Sequence, residues 1–313
     1  MISALEFLDA RRNSKTVSFI EDAMIPDLDR ALNDFDFPVE QLGPVIVLSE
    51  ELVRVAVGWL PQRPWLSHVV HHDMLVHPLV ENHIANVLAT LTKSGRTRVL
   101  DWLGADFQAR RVRLARSSKR ADRLERMASY FESQGIGSRT VDSLRDVAEE
   151  LLTNAFYDAP VAAGIFPHAI SRTQDVRLSD AGACDLVYGC TEELAIIRVK
   201  DPFGSLSRDR LVEVLLRCAR SDGNVKVDEL MGGAGLGLWR IFARASLVVV
   251  SVVHDSHTEF LVGIRKRMVK GPRPFAFHLF FKERGGDTQR RWRLVDMDSA
   301  PASLDGSITI VSE

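Results

Sequence analysis

The chain is poor in cysteine, with only Cys184, Cys190 and Cys218 among 313 residues. No CxxC pair occurs, and three thiols are too few for a disulfide framework. Free thiols in a reducing compartment are the expected state, with a Cys184–Cys190 bridge across a hairpin as the alternative. Net charge is also scarce. A balance of −2 argues against a general nucleic-acid or membrane-surface role. No apolar run reaches the roughly eighteen residues of a membrane span. The start, Met1-Ile-Ser-Ala-Leu-Glu6, brings an acid early and lacks the basic and apolar regions of a signal peptide. These absences together predict a cytoplasmic protein. GxxxxGK[ST] is missing, which excludes a P-loop. The glycine cluster Gly232-Gly-Ala-Gly-Leu-Gly237-Leu238 fails the dinucleotide pattern GxGxxG, because Leu238 occupies the sixth position from Gly233.

What is present is ordinary core material. Apolar residues make up 46% of the chain, and its length suits two domains. Residues 1–95 read as a small α/β unit. Pro44-Val-Ile-Val-Leu-Ser49 is a buried strand, 50–60 a helix, 65–70 a second strand and 78–92 a second helix, an alternation that implies a parallel sheet. The stretch 44–92 resembles the last part of a response-regulator receiver domain, in truncated form. Its late strand runs His68-Val-Val-His71-His72-Asp73 without the lysine of that family, and no aspartate stands out as a phospho-acceptor. Residues 96–120 carry many arginines and read as a basic helical connector, either a solvated face or an anion- or partner-binding surface.

Periodicity is cleanest from 121 onward. Leu124, Met127, Ala128 and Phe131 share one side of a helix. Leu144, Val147, Ala148, Leu151, Leu152, Ala155, Phe156 and Ala159 form the apolar stripe of the next, which Pro160 should stop. Strands are expected at 175–178, 186–190, 194–200, 246–253, 259–266 and 275–281, and helices at 208–220 and 238–245. This pattern predicts a two-layer α/β sandwich, followed by a C-terminal strand and tail over 269–313.

Three segments carry chemistry. Glu150 and Asn154, one helical turn apart, lie on one face with Asp146 and Asp158. An amide oxygen suits Mg²⁺, and a nearby carboxylate can deprotonate or orient a hydroxyl or water. An ordinary polar helix face is the alternative reading. Asp201-Pro-Phe203-Gly204 ends a strand, where an aspartate can accept a hydrogen bond from an adenine amino group or simply begin a turn. The glycines at 232–237, with a helix after them, leave amide groups free to face phosphate oxygens.

In order and spacing the three segments resemble the GHKL ATP-binding fold of histidine kinases, anti-sigma-factor serine kinases and gyrase-type enzymes, over residues 121–268. Glu150-Leu-Leu-Thr-Asn154-Ala155 matches the N box of the kinases, and Gly233-Ala-Gly235-Leu236-Gly237-Leu238 the second glycine box. The resemblance implies ATP and Mg²⁺ as cofactors, with Asn154 as the Mg²⁺ ligand and Glu150 as catalytic base. Asp201 would then bind adenine, 207–232 would form a lid, and Asp158, Gly204, Gly233, Gly235, Leu236 and Gly237 would complete the nucleotide site.

The first glycine box departs from the family, because Phe203 and Ser205 replace its two glycines. Tyr157-Asp158 also stands where many histidine kinases carry a basic residue followed by His or Tyr. No histidine occurs between His83 and Val141, so an acceptor histidine ahead of the domain is not expected. The compact anti-sigma type is the nearest match, implying a signalling protein kinase that acts on a regulatory partner protein. A catalytically inactive nucleotide-dependent switch or scaffold is the alternative. Apolar faces on the connector helices and N-terminal unit make a homodimer plausible.

Overall fold

The computed structural model describes residues 8, 17–75, 108–179, 182–220, 234–267, 274–282, 292–295 and 308–312. The chain is a mixed α/β protein that divides into two compact units, Met1–Asp106 with Val269–Leu279, and Phe107–Met268 with Phe280–Glu313.

In the N-terminal unit, β1 (Ser18–Glu21), β2 (Val45–Ser49) and β3 (His68–His71) are parallel neighbours in that order. Helices α1 (Ile25–Asp34) and α2 (Val53–Gly58) connect them, and α3 (His72–Leu75) follows β3. The parallel sheet agrees with the alternation seen in the sequence. β1 was not foreseen, because in four residues the exposed Phe19 beside the buried Ile20 hides the alternation; α1 was missed although Ile25, Leu28, Ala31 and Leu32 keep helical spacing. The expected helix at 78–92 lies outside the described residues. A further strand, β10 (Ala276–Lys282), runs antiparallel to β3 and pairs His278 with His68. Residues grouped in the sequence with a C-terminal tail therefore build part of the N-terminal sheet.

The C-terminal unit has an antiparallel sheet in the order β8 (Leu247–Val253), β9 (His257–Arg265), β7 (Leu194–Asp201), β6 (Cys184–Cys190), β4 (Gln108–Leu114). Its long helices are α4 (Arg120–Ser133), α5 (Ser138–Thr153), α7 (Arg208–Arg220) and α8 (Ala234–Arg244). α5 lies on β7 and β9, and its buried residues include Leu144, Val147, Ala148, Leu151 and Leu152. That stripe lines the core as its spacing requires. β4 corrects the helical reading of the arginine-rich stretch. In a strand, Arg110, Val112 and Leu114 share one face and Arg111 and Arg113 the other, so charge density misled where a period of two was present. In the tail, β11 (Trp292–Val295) pairs with β12 (Ile308–Ser312), which joins the short strand β5 (Val176–Leu178). All three cysteines are free thiols. Among the described residues, no helix is long and apolar enough to cross a membrane.

Candidate functional site

The site is built on the C-terminal end of α5. The α-helix gives way at Asn154 to one turn of π-helix, Asn154–Asp158, and resumes as the short helix α6 (Ala159–Ala162). Pro160 explains the change. It has no N–H for a helical bond, and its ring would meet the carbonyl four residues back, so the wider turn relieves the conflict. Pro160 was expected to stop the helix; instead it occupies the first turn of α6.

Helix α8 lies antiparallel along α5. Gly237 faces Glu150, and seven residues later the Arg244 guanidinium donates to Asp146 at 2.9 Å. A Cβ on Gly237 would overlap the carboxyl group of Glu150. The two segments singled out in the sequence thus meet. α8 begins at Ala234, earlier than the 238 expected, so Gly235, Leu236 and Gly237 belong to its first turn. A glycine inside a helix costs about 1 kcal/mol relative to alanine. At Gly237 a Cβ would have to displace the Glu150 side chain. Gly233 and residues 221–232 of the expected lid lie outside the described residues, and the described part of that segment is α7, which packs on α8.

Burial raises the Glu150 carboxyl above its ordinary value, and Arg172 and Arg240 pull it partly back. Its Oε1 atom is buried and has no hydrogen-bond partner among the described residues. Asp158 is likewise raised by burial and lies 3.6 Å from the Arg172 guanidinium. On the other side of the π-turn, the Arg120 guanidinium donates to Thr153 Oγ1 at 2.6 Å and lies over the Tyr157 ring. The Tyr157 hydroxyl donates to the Gln174 carbonyl at 2.8 Å. Two half-buried carboxyls and three cations, Arg120, Arg172 and Arg240, therefore surround the end of α5. Sequence reasoning missed Arg172 and Arg240. Arg240 stands one turn beyond Gly237 on α8 and was open to the same spacing argument. Arg172 lies on an irregular segment and had no such signal.

The structure places Asp201 at the end of β7, opposite Thr258 of β9. Its carboxyl is buried and pushed up to about 6 by that burial, although backbone N–H groups at Phe203 and Gly204 oppose the shift. The Phe203 N–H donates to Asp201 Oδ1 at 2.9 Å, a turn closed by the aspartate itself. Phe203 is fully buried in the core. Ser205 donates to the Ala159 carbonyl at 2.9 Å and ties the loop to α6. Gly204 has φ +65°, and a Cβ there would strike the Val253 carbonyl and the Ser256 and His257 amides. The segment is held by packing that two more glycines would not supply. Among the described residues, no group of three or more His, Cys, Asp or Glu side chains is arranged to hold a metal.

A second polar group sits at the carboxyl ends of the three parallel strands of the N-terminal unit, the usual ligand-facing end of such sheets. The Ser49 hydroxyl donates to Asp22 at 2.9 Å, and His72 Nε2 lies 2.7 Å from the Glu21 carboxylate.

No family model matches the chain, and no curated protein matches it. Among solved structures, the chain is similar to a chain of the SiaB–SiaC complex from Pseudomonas aeruginosa, at 14% identity and a TM-score of 0.33, covering 50% of this chain and 88% of that one.

Proposed function

We propose that the C-terminal unit is a GHKL-type ATP·Mg²⁺-binding domain of a signalling protein that phosphorylates a partner protein on a hydroxyl. One observation carries this reading, the seating of Gly237 against Glu150, which brings the N-box and glycine-box segments to one place. The residues fit the cofactor. The buried, unpaired Glu150 Oε1 has the chemistry of a group waiting for a polar ligand. Arg172 and Arg240, close enough to act on Glu150, supply cations for a polyphosphate. Asn154, half-buried one turn from Glu150, offers a neutral oxygen for Mg²⁺. The bound metal would neutralise phosphate charge. Glu150, raised by burial, is a stronger base than a free carboxylate and is suited to accepting a proton from a hydroxyl.

Calorimetric titration of the full chain with ATP and MgCl₂ tests the site. Wild type should bind, and Asn154→Ala should bind about tenfold more weakly, a loss of about 1.4 kcal/mol. Absence of binding by wild type would overturn the assignment.

One observation favours a second reading, a nucleotide-dependent switch that binds its partner without transferring phosphate. The Asp201 carboxyl already accepts the Phe203 N–H inside a turn packed by Phe203, which supports a remodelled adenine side. Incubation with labelled ATP and candidate partners separates the two readings: label on a partner serine supports the kinase, and nucleotide-dependent binding without label supports the switch.

A further inference from the structure

β4 is the last strand of its sheet and pairs on one side with β6. Among the described residues, no strand covers its other edge. In an antiparallel pair alternate residues turn their N–H and C=O groups away from the partner, so β4 presents a row of main-chain donors and acceptors along seven residues. Edges of this kind accept an added strand.

The side chains around the edge select what can be added. A groove of about 680 Å³ runs between β4 and α4, lined by Arg110, Arg111, Arg123, Arg126, Tyr130 and Tyr188. Three arginines, Arg110, Arg123 and Arg126, stand on the α4 side of this groove against the single carboxylate of Glu125, while the alternation of β4 turns the Arg111 side chain to the opposite face. Arg110 lies over the Tyr130 ring at 4.7 Å, and Tyr130 meets Tyr188 edge-on at 5.3 Å, so the floor is aromatic and rigid. On the opposite face of β4, Arg111 makes a two-pronged pair with the half-buried Asp185. On the groove side the ion pairs are exposed: Arg126 and Arg123 share Asp122, and Glu125 pairs with Arg145. Such pairs contribute little in water and exchange readily for another carboxylate. A second copy of this strand would bring its own arginines against these, so self-pairing is opposed by like charge.

We infer that the β4 edge and its arginine-lined groove form a docking site for an acidic, extended segment of a partner protein, added as a further strand. The partner's main chain pairs with β4, and its carboxylates meet Arg110, Arg123 and Arg126. This site is separate from the end of α5 and stands without any nucleotide at that place.

Fluorescence anisotropy of the full chain in nucleotide-free buffer tests it. The probe is a fluorescein-labelled peptide of about ten residues alternating glutamate and valine. The acidic peptide should bind, and a version with lysine for glutamate should not. Methylating the amides of alternate residues should abolish binding in one of the two phases and spare it in the other, because only one set of N–H groups faces β4. Arg110→Glu with Arg126→Glu should weaken binding about tenfold or more, while Arg110→Lys with Arg126→Lys, which keeps the charge, should largely retain it. Equal binding of the lysine peptide, or indifference to methylation in both phases, would overturn strand addition. So would a single-stranded oligonucleotide of matching charge that binds as tightly as the acidic peptide.

Discussion

Gly237 rests on the carboxyl group of Glu150 with no room between them for a methyl group. The contact joins α8 to α5 where the candidate site begins, and it makes the glycine a packing requirement as well as a feature of a loop motif. Gly237→Ala should therefore destabilise the C-terminal unit by about 1–3 kcal/mol, the usual cost of forcing atoms into a packed contact, despite the better helix propensity of alanine. Urea unfolding followed by circular dichroism measures this. Unchanged stability would show that Glu150 can swing aside freely.

Glu150 itself opposes folding when charged. Its folded carboxyl titrates above the ordinary 4.5 because it is buried. The penalty is absent below that value, grows as the pH rises through it, and levels off above the folded value. Glu150→Gln should thus be more stable than wild type at pH 8 and equal to it near pH 4. On the kinase reading the same variant loses phosphoryl transfer and keeps ATP binding. Parallel urea titrations and a transfer assay would show the two effects together. Loss of ATP binding alongside transfer would remove Glu150 from the role of base.

Asp201 gives the same sign with a stated range. Its carboxyl moves from 3.8 to about 6 on folding, so stability should fall between about pH 4 and pH 6 by roughly 3 kcal/mol from this group alone. Asp201→Asn keeps an oxygen for the Phe203 N–H and removes the charge. The variant should flatten that part of the pH–stability curve and exceed wild type at pH 7.

His68 works in the opposite direction. It is wholly buried, its Nδ1 lies 3.4 Å from His278 Nδ1, and burial lowers it from 6.5 to about 3. The neutral ring is favoured in the folded state, so this contribution is intact above pH 6.5 and is lost at up to about 1.4 kcal/mol per pH unit below it. Amide exchange in β3 should quicken as the pH falls from 6.5 toward 4, after correction for the intrinsic rate. His68→Gln should remove most of that dependence.

Much of the α/β framework was legible from side-chain rhythm. The stripe through Leu144, Val147, Ala148, Leu151 and Leu152 named α5 and its buried face, and the apolar runs at 194–200 and 246–253 named β7 and β8. β1 is only four residues long, β4 is written in arginines, and β10, legible as a strand at 275–281, lies far along the chain from its partner β3. Each of these depends on neighbours that periodicity does not report. At the site, the placing of Glu150 and Asn154 on one helix face followed from their spacing, whereas Arg172 entered only through the course of an irregular segment. The glycine at 237 was visible as a motif, but its contact with Glu150 was not.

The order of residues by itself determined which faces are apolar, where glycine and proline bend the backbone, and which chemical groups are available, because these depend on local sterics and on side-chain type. Tertiary structure alone decided that α8 lies along α5 with Gly237 on Glu150, that Phe203 fills the core beside Asp201, and that the Asp201 carboxyl closes its own turn. Those outcomes depend on which surfaces pack together, and packing between residues distant in sequence is settled only when the whole chain buries its apolar area at once.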